Sequence, residues 1–210
     1  MSDPTAALAG VDVPRETFER VERFVALLIE ENQRQNLVAK STVPDLWQRH
    51  IADAAQLLAF APPRGSWLDI GSGAGLPGVV IAILTGAPML LVEPRRLRAE
   101  FLQRAIDALE LGPNVSVIQS KIEAVRHAPV DIITARAVAS IDRLFAIAVH
   151  LSHKGTVWVL PKGKSAKSEL DEARRTWQGD YRLEPSRTDP DAQILVGSRV
   201  RRKNGARGVA

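Results

Sequence analysis

The stretch Trp67–Gly78, WLDIGSGAGLPG, constrains this chain more than any other, because an apolar run ends in an acid and then in four glycines within eight positions. Trp67, Leu68 and Ile70 read as a buried strand, and Pro77 followed by Gly78-Val-Val-Ile-Ala-Ile-Leu84 reads as a helix with proline in its first turn. Between them, Gly71, Gly73 and Gly75 permit positive φ and leave the backbone open to a ligand, while the helix start offers unpaired N–H groups. A nucleotide-like ligand suits such a strand-loop-helix unit.

Gly73, Gly75 and Gly78 also satisfy the dinucleotide fingerprint G-x-G-x-x-G. Two acids weigh against a pyrophosphate. Asp69 precedes the loop, where a carboxylate suits the cation S-adenosylmethionine, and Glu93 ends the next apolar run, Met89–Val92, where an acceptor for ribose hydroxyls belongs. This pattern favours S-adenosylmethionine, with a dinucleotide or a ligand-free glycine turn as the alternatives.

The rest of the chain is placed by its distance from the loop. Residues 16–31 carry Phe18, Val21, Phe24, Val25, Leu28 and Ile29 at helical spacing, the polar stretch 32–37 lacks that stripe, and Pro44 opens a second helix with Leu46, Trp47, Ile51, Ala54, Leu57 and Leu58 on one side. Pro62-Pro63-Arg64-Gly65 then breaks the chain, so residues 1–61 are expected to form a helical cap and residues 62–210 the ligand-binding domain. Further strands are expected at 89–92, 115–119, 131–134 and 156–160. Helices are expected at 95–111, with Leu97, Phe101, Leu102, Ala105, Ile106 and Leu109 as buried stripe, from Lys121, around Leu144–Leu151, and at 165–177. Extended segments near 181–183 and 194–200 would add an antiparallel hairpin, giving a mostly parallel seven-stranded α/β sheet.

Composition excludes several chemistries. The 210 residues include no cysteine, which removes disulfides, thiolate metal sites and a covalent thiolate route to pyrimidine C5. The four histidines show no ligand spacing, so no metal is expected, and no window has the roughly 18 apolar residues needed to span a bilayer. The start lacks a signal-peptide pattern and a cytoplasmic location is compatible. A net charge of +4 hints at an acidic partner.

The ligand of such a sheet sits at the carboxyl ends of its first strands. After Gln119, Ile122 and Glu123 are the candidates for holding an adenine edge, although Glu123 also reads as an ordinary first-turn carboxylate. After the strand at 131–134, Thr134-Ala-Arg-Ala137 lacks the Asn or Asp, the prolines and the aromatic used to methylate an exocyclic amine. An acceptor that is already nucleophilic, such as guanine N7, needs none of these. Arg136 is placed to hold a cofactor carboxylate or an acceptor phosphate. Arg49, Lys162 and Lys164 are candidate RNA contacts around one cleft, joined by Arg34 and Lys40. The tail Arg199, Arg201, Arg202 and Lys203, with Arg207 beyond it, is either a further contact or a solubilising end.

These residues resemble the bacterial 16S ribosomal RNA guanine-N7 methyltransferases, the glucose-inhibited division protein B (RsmG) family, over nearly the whole chain. The resemblance rests on Asn36-Leu37, Arg49-His50-Ile51 with Asp53, Asp69–Gly78, Gln119-Ser120, Ala135-Arg-Ala137 with Ala139-Ser140, and Lys162-Gly163. It implies a Rossmann-like class I S-adenosylmethionine-dependent fold and methyl transfer to N7 of one guanine in 16S ribosomal RNA, on naked RNA or on the small ribosomal subunit; a monomer is expected. Cofactor contacts carried over by position fall on Gly71, Leu76, Ile122, Glu123 and Arg136, and no catalytic base is implied. The chain departs from the family's usual residues at Val38, Ala54, Ala135 and Pro161.

Overall fold

The computed structural model describes residues 4–8 and 10–203. The last residues of the basic tail, Arg207 among them, lie outside the described residues. A short α1 (Pro4–Ala7) precedes α2 (Arg15–Gln35), which runs past the expected end because its polar last turn is used for tertiary bonding. Asn32 is buried and its Oδ1 accepts from Val38 N at 2.8 Å, while buried Glu31 accepts from Gln35 at 2.5 Å and from Arg104 at 2.9 Å. Asn36 then closes the helix in the left-handed region.

The second helix expected from Pro44 lies in a continuous right-handed run, Lys40 to Phe60, whose winding is uneven. Tight turns at Lys40–Asp45 and Gln56–Phe60 flank a wide turn at Trp47–Ala52 and one α-helical turn, α3 (Asp53–Ala55). Leu46, Trp47, Ile51, Ala54 and Leu57 are nevertheless buried on one side, as the apolar spacing predicts, while Leu58 is only partly so.

The sheet contains β1 (Trp67–Ile70), β2 (Met89–Val92), β3 (Val115–Ile118), β4 (Val130–Ala135), β5 (Ser152–Lys162), β6 (Trp177–Pro185) and β7 (Gln193–Arg202). Their order is β3-β2-β1-β4-β5-β7-β6. The first five strands are parallel neighbours and β7 pairs antiparallel with both β5 and β6, so the sheet is mixed. Successive residues of each parallel strand feed opposite cores, as the period of two requires. Trp67, Met89, Leu91 and Ile132 pack toward α2, α4 (Gly78–Thr85) and α5 (Arg96–Ala108), whereas Leu68, Leu90, Val92 and Ile133 pack toward α6 (Ile141–Ala148) and α7 (Ala166–Thr176). Phe101, Leu102, Ala105, Ile106 and Leu109 are buried as expected, but Leu97 is 54% exposed because the first turn of α5 projects beyond the strand ends.

Strand direction decides the fate of the basic tail. Because β7 begins opposite Lys162 at the carboxyl ends of the parallel strands and runs away from them, Arg199 to Lys203 lie toward the amino ends of those strands. There Arg199 pairs with Asp180, Arg202 stacks on Trp177 and Lys203 donates to Arg174 O at 2.5 Å. The tail does not line the cleft formed by the loops after β1 and β4.

Candidate active site

The chain leaves β1 to build β2 and β3 on one side and returns to build β4 on the other, so the strand order reverses between β1 and β4. In such sheets a ligand sits at the carboxyl ends on either side of that reversal. Here the loop after β1 is Gly71–Pro77 and the loop after β4 is Arg136–Ser140.

The glycines divide by role. Gly71, Gly73 and Gly75 have φ of 66°, 52° and 79°, the left-handed region that a side chain resists. A Cβ on Gly73 would find only ordinary contacts, with Arg98 Nη1 and Gly71 O at 3.6 Å and Glu93 Oε2 at 3.9 Å, so its surroundings stay open. A Cβ on Gly75 would come within 2.7 Å of Val79 and 3.1 Å of Phe24 on α2. A Cβ on Gly78 would come within 2.5 Å of both Asp69 Oδ2 and Leu91. The last two are therefore glycines for packing, and only the first part of the loop fits the ligand role expected of it.

Glu93 closes the loop from the side. Its Oε2 accepts from Gly73 N at 2.8 Å and its Oε1 from Arg95 N at 2.9 Å, so the acid that ends β2 also fixes the backbone of the glycine loop. Each carboxylate oxygen retains a further lone pair for a ligand hydroxyl. Asp69 acts from beneath. Its Oδ2 accepts from Gly78 N, at the start of α4, at 3.1 Å, whereas its buried Oδ1 has no hydrogen-bond partner. Thr134, its neighbour in register on β4, also has a buried Oγ1 without a partner. Burial pushes the Asp69 carboxyl up to about 7, against the pull of Gly78 N–H and of the Arg136 charge.

Leu76 is buried under the loop, and Ile122, in the short turn after β3, is buried with the α6 and α7 core. Glu123 is exposed and pairs with Arg143 at 2.9 Å. Val138 ties the two loops together, because a Cβ on Gly71 would lie 2.7 Å from its Cγ2. Val138 also lines a cleft of about 550 Å³ that opens between the cap, the loop after β4 and the loop joining β6 to β7. Arg49, His50, Asp53, Arg136, Lys162 and Thr188 line it as well. Ala137, at φ 56°, turns the chain sharply between Arg136 and Val138. The glycine loop and this cleft are thus adjoining compartments with Val138 at their junction.

The expected RNA contacts separate. Arg49 is exposed at the cleft and Lys164 is exposed beyond it, and neither has an ion-pair partner among the described residues. Lys162 differs. Its Nζ pairs with Glu169 of α7 at 2.8 Å and donates to Ala139 O at 2.5 Å, and its side chain is 10% exposed. It holds the loop after β4 to α7 with two of its three N–H donors while lining the cleft.

Sequence spacing missed the role of His50. Its Nδ1 lies 3.1 Å from Arg136 Nη1 and its Nε2 lies 3.0 Å from Thr42 Oγ1. Burial, then the Arg136 charge, pushes the imidazole down to about 4, against the pull of Asp53. The only early signal was its place in the Arg49-His50-Ile51 and Asp53 segment. Among the described residues no group of three or more His, Cys, Asp or Glu is placed to hold a metal ion. No helix among them is long and apolar enough to cross a membrane.

The fold has known counterparts. An O-methyltransferase from Bacillus cereus in complex with SAH superposes with a TM-score of 0.58 at 16% identity, over 84% of this chain and 90% of that one. A point mutant of MtNAS in complex with S-adenosylmethionine gives 0.55 at 18% identity, over 85% of this chain and 74% of that one. These likenesses establish a Rossmann-like methyltransferase fold. Relatives by sequence are far nearer. The ribosomal RNA small subunit methyltransferase G of Zymomonas mobilis is 45% identical over 207 residues, covering 94% of this chain and 93% of the relative. That of Sphingopyxis alaskensis is 48% identical over 185 residues, covering 87% and 79%. The model of the family described as rRNA small subunit methyltransferase G matches residues 17–188, a span that takes in the cap segment, the glycine loop and Arg136 alike. A sheet reversal bounded by a glycine loop and an anchored arginine, with relatives alike along almost the whole chain, leads to one assignment: the chain belongs to the rRNA small subunit methyltransferase G family.

Proposed function

We propose that this protein transfers a methyl group from S-adenosylmethionine to N7 of a guanine in 16S ribosomal RNA. The observation that carries the reading is the pair of adjoining compartments, one suited to the cofactor and one to an acceptor, that meet at Val138. The residues fit the cofactor: the open surroundings of Gly73, the remaining lone pairs of Glu93 and the half-buried guanidinium of Arg136 complement its hydroxyls and charged end. When bound, S-adenosylmethionine supplies an electrophilic methyl on a sulfonium.

Gly71 and Leu76 would hold the cofactor along the loop, Glu93 would accept from its ribose, Ile122 and Glu123 would border its base, and Arg136 would hold its carboxylate. Guanine N7 has a lone pair and no proton, so no residue has to act as a general base, and alignment of acceptor and donor supplies the catalysis. Arg49 at the cleft and Lys164 beside it are the cations available to the RNA backbone. The test is mass-spectrometric mapping of 16S RNA incubated with the protein and S-adenosylmethionine, both as naked RNA and within the small ribosomal subunit. One guanine should gain a single methyl at N7. No gain, or a methyl at another position, overturns the reading.

A further inference from the structure

We propose that His50 and Asp53, both on the N-terminal cap, are positioning residues for Arg136, so that the cap is part of the cofactor site. This rests on the reading of Arg136 as the group that holds the cofactor carboxylate. The guanidinium is anchored through one nitrogen: Nη1 meets His50 Nδ1 at 3.1 Å and Asp53 Oδ2 at 3.4 Å. Nε and Nη2 form no hydrogen bond among the described residues. These two nitrogens present parallel N–H groups that match both oxygens of a carboxylate. Anchoring the third nitrogen removes side-chain freedom before the ligand arrives, so less is lost on binding.

The protons of the string are determined by its chemistry. Arginine can only donate, so His50 Nδ1 accepts and the ring proton sits on Nε2. Nε2 then donates to Thr42 Oγ1 at 3.0 Å, and the threonine hydroxyl donates to Ala39 O at 2.8 Å. On the other side, Asp53 Oδ1 is occupied by Gln56 Nε2 and Thr188 Oγ1, both at 2.8 Å, which leaves Oδ2 for the guanidinium. Gln56 is itself buried and accepts from Arg187 N at 2.8 Å, so the loop between β6 and β7 braces Asp53 from behind. At the centre of this string, two nitrogens of a half-buried arginine remain unused.

Titration calorimetry with S-adenosylmethionine tests the proposal on wild type, His50→Ala, His50→Asn, Arg136→Ala and the double variant His50→Ala/Arg136→Ala. His50→Ala should weaken binding about tenfold. His50→Asn, whose Oδ1 lies near the position of Nδ1, should recover to within about threefold of wild type. The double variant should bind no more weakly than Arg136→Ala alone. Wild-type affinity in folded His50→Ala, asparagine as poor as alanine, or additive losses in the double variant would each overturn the proposal. Wild-type affinity in Arg136→Ala would overturn it by a different route, removing the cofactor reading of Arg136 on which it rests. If His50→Ala does not fold, Asp53→Asn serves instead: it keeps the contacts with Gln56 and Thr188, loses the charge, and should weaken binding about fivefold, non-additively with Arg136→Ala.

Discussion

Replacing Asp69 by asparagine should remove a contribution to stability that falls between mildly acidic and mildly alkaline pH. In the folded chain the Asp69 carboxyl is pushed from an ordinary 3.8 up to about 7 by complete burial. Between those values the unfolded chain has lost a proton that the folded chain retains. The contribution of Asp69 to stability must then fall as pH rises from about 4 to about 7 and level off above. The gap of about three pH units corresponds to roughly 4 kcal/mol as the largest effect of this one group. Asparagine does not titrate, and its Oδ1 can still accept from Gly78 N, so the start of α4 keeps its anchor. Its new amide donor also faces the Thr134 side of the pocket, where a buried hydroxyl has no partner. Urea unfolding of both proteins at about pH 5 and about pH 8.5 gives the comparison directly, because all other titrating groups are shared. The variant should gain on wild type by roughly 2–3 kcal/mol at the higher pH relative to the lower. A stability difference that is the same at both pH values would refute the reasoning, since it would mean that Asp69 carries its charge in the folded core.

Gly71→Ala should fold, at a cost of about 1–2 kcal/mol for the left-handed backbone, because the crowding side chain, Val138, is 40% exposed and can move. S-adenosylmethionine binding should fall at least about tenfold in calorimetry. Gly75→Ala, which drives a methyl into Val79 and Phe24, should instead lower the melting temperature sharply. Glu93→Ala should lose cofactor affinity and stability together, by about 1–3 kcal/mol each, because two loop amides lose their acceptor; unchanged stability would show that the loop holds itself. Lys162→Met should cost about 1–3 kcal/mol of stability with no change in the salt dependence of RNA binding, whereas Arg49→Ala/Lys164→Ala should flatten that dependence by about 0.7–0.9 log units per lost phosphate contact.

What the sequence made legible was local. The strand before Gly71, the helix after Pro77 and the acid at Glu93 follow from residues within a few positions of each other, and all three stand where expected. What was not legible depended on tertiary partners. Lys162 is seven residues from Glu169, but on a strand end facing a helix, a relation with no periodic signature. His50 is 86 positions from the arginine that gives it a role. Leu97 has helical spacing with its stripe, and only the reach of the sheet beneath decides that the stripe begins at Ala99 and Phe101. The tail's basic cluster was plain in the sequence, whereas its side of the sheet depended on the antiparallel pairing of β7.

Phe24 of α2 stands against the back of Gly75, and the buried face of α4 looks toward the same helix. Residues on both sides of position 61 share one buried cluster. A chain begun at residue 62 would leave the glycine loop without Phe24 behind Gly75. For anyone grafting this nucleotide-binding unit onto another scaffold, the piece to move is the whole of α2 through β7. The first sixty residues are to the loop what a keystone's abutment is to an arch: outside the opening, and the reason it stays open.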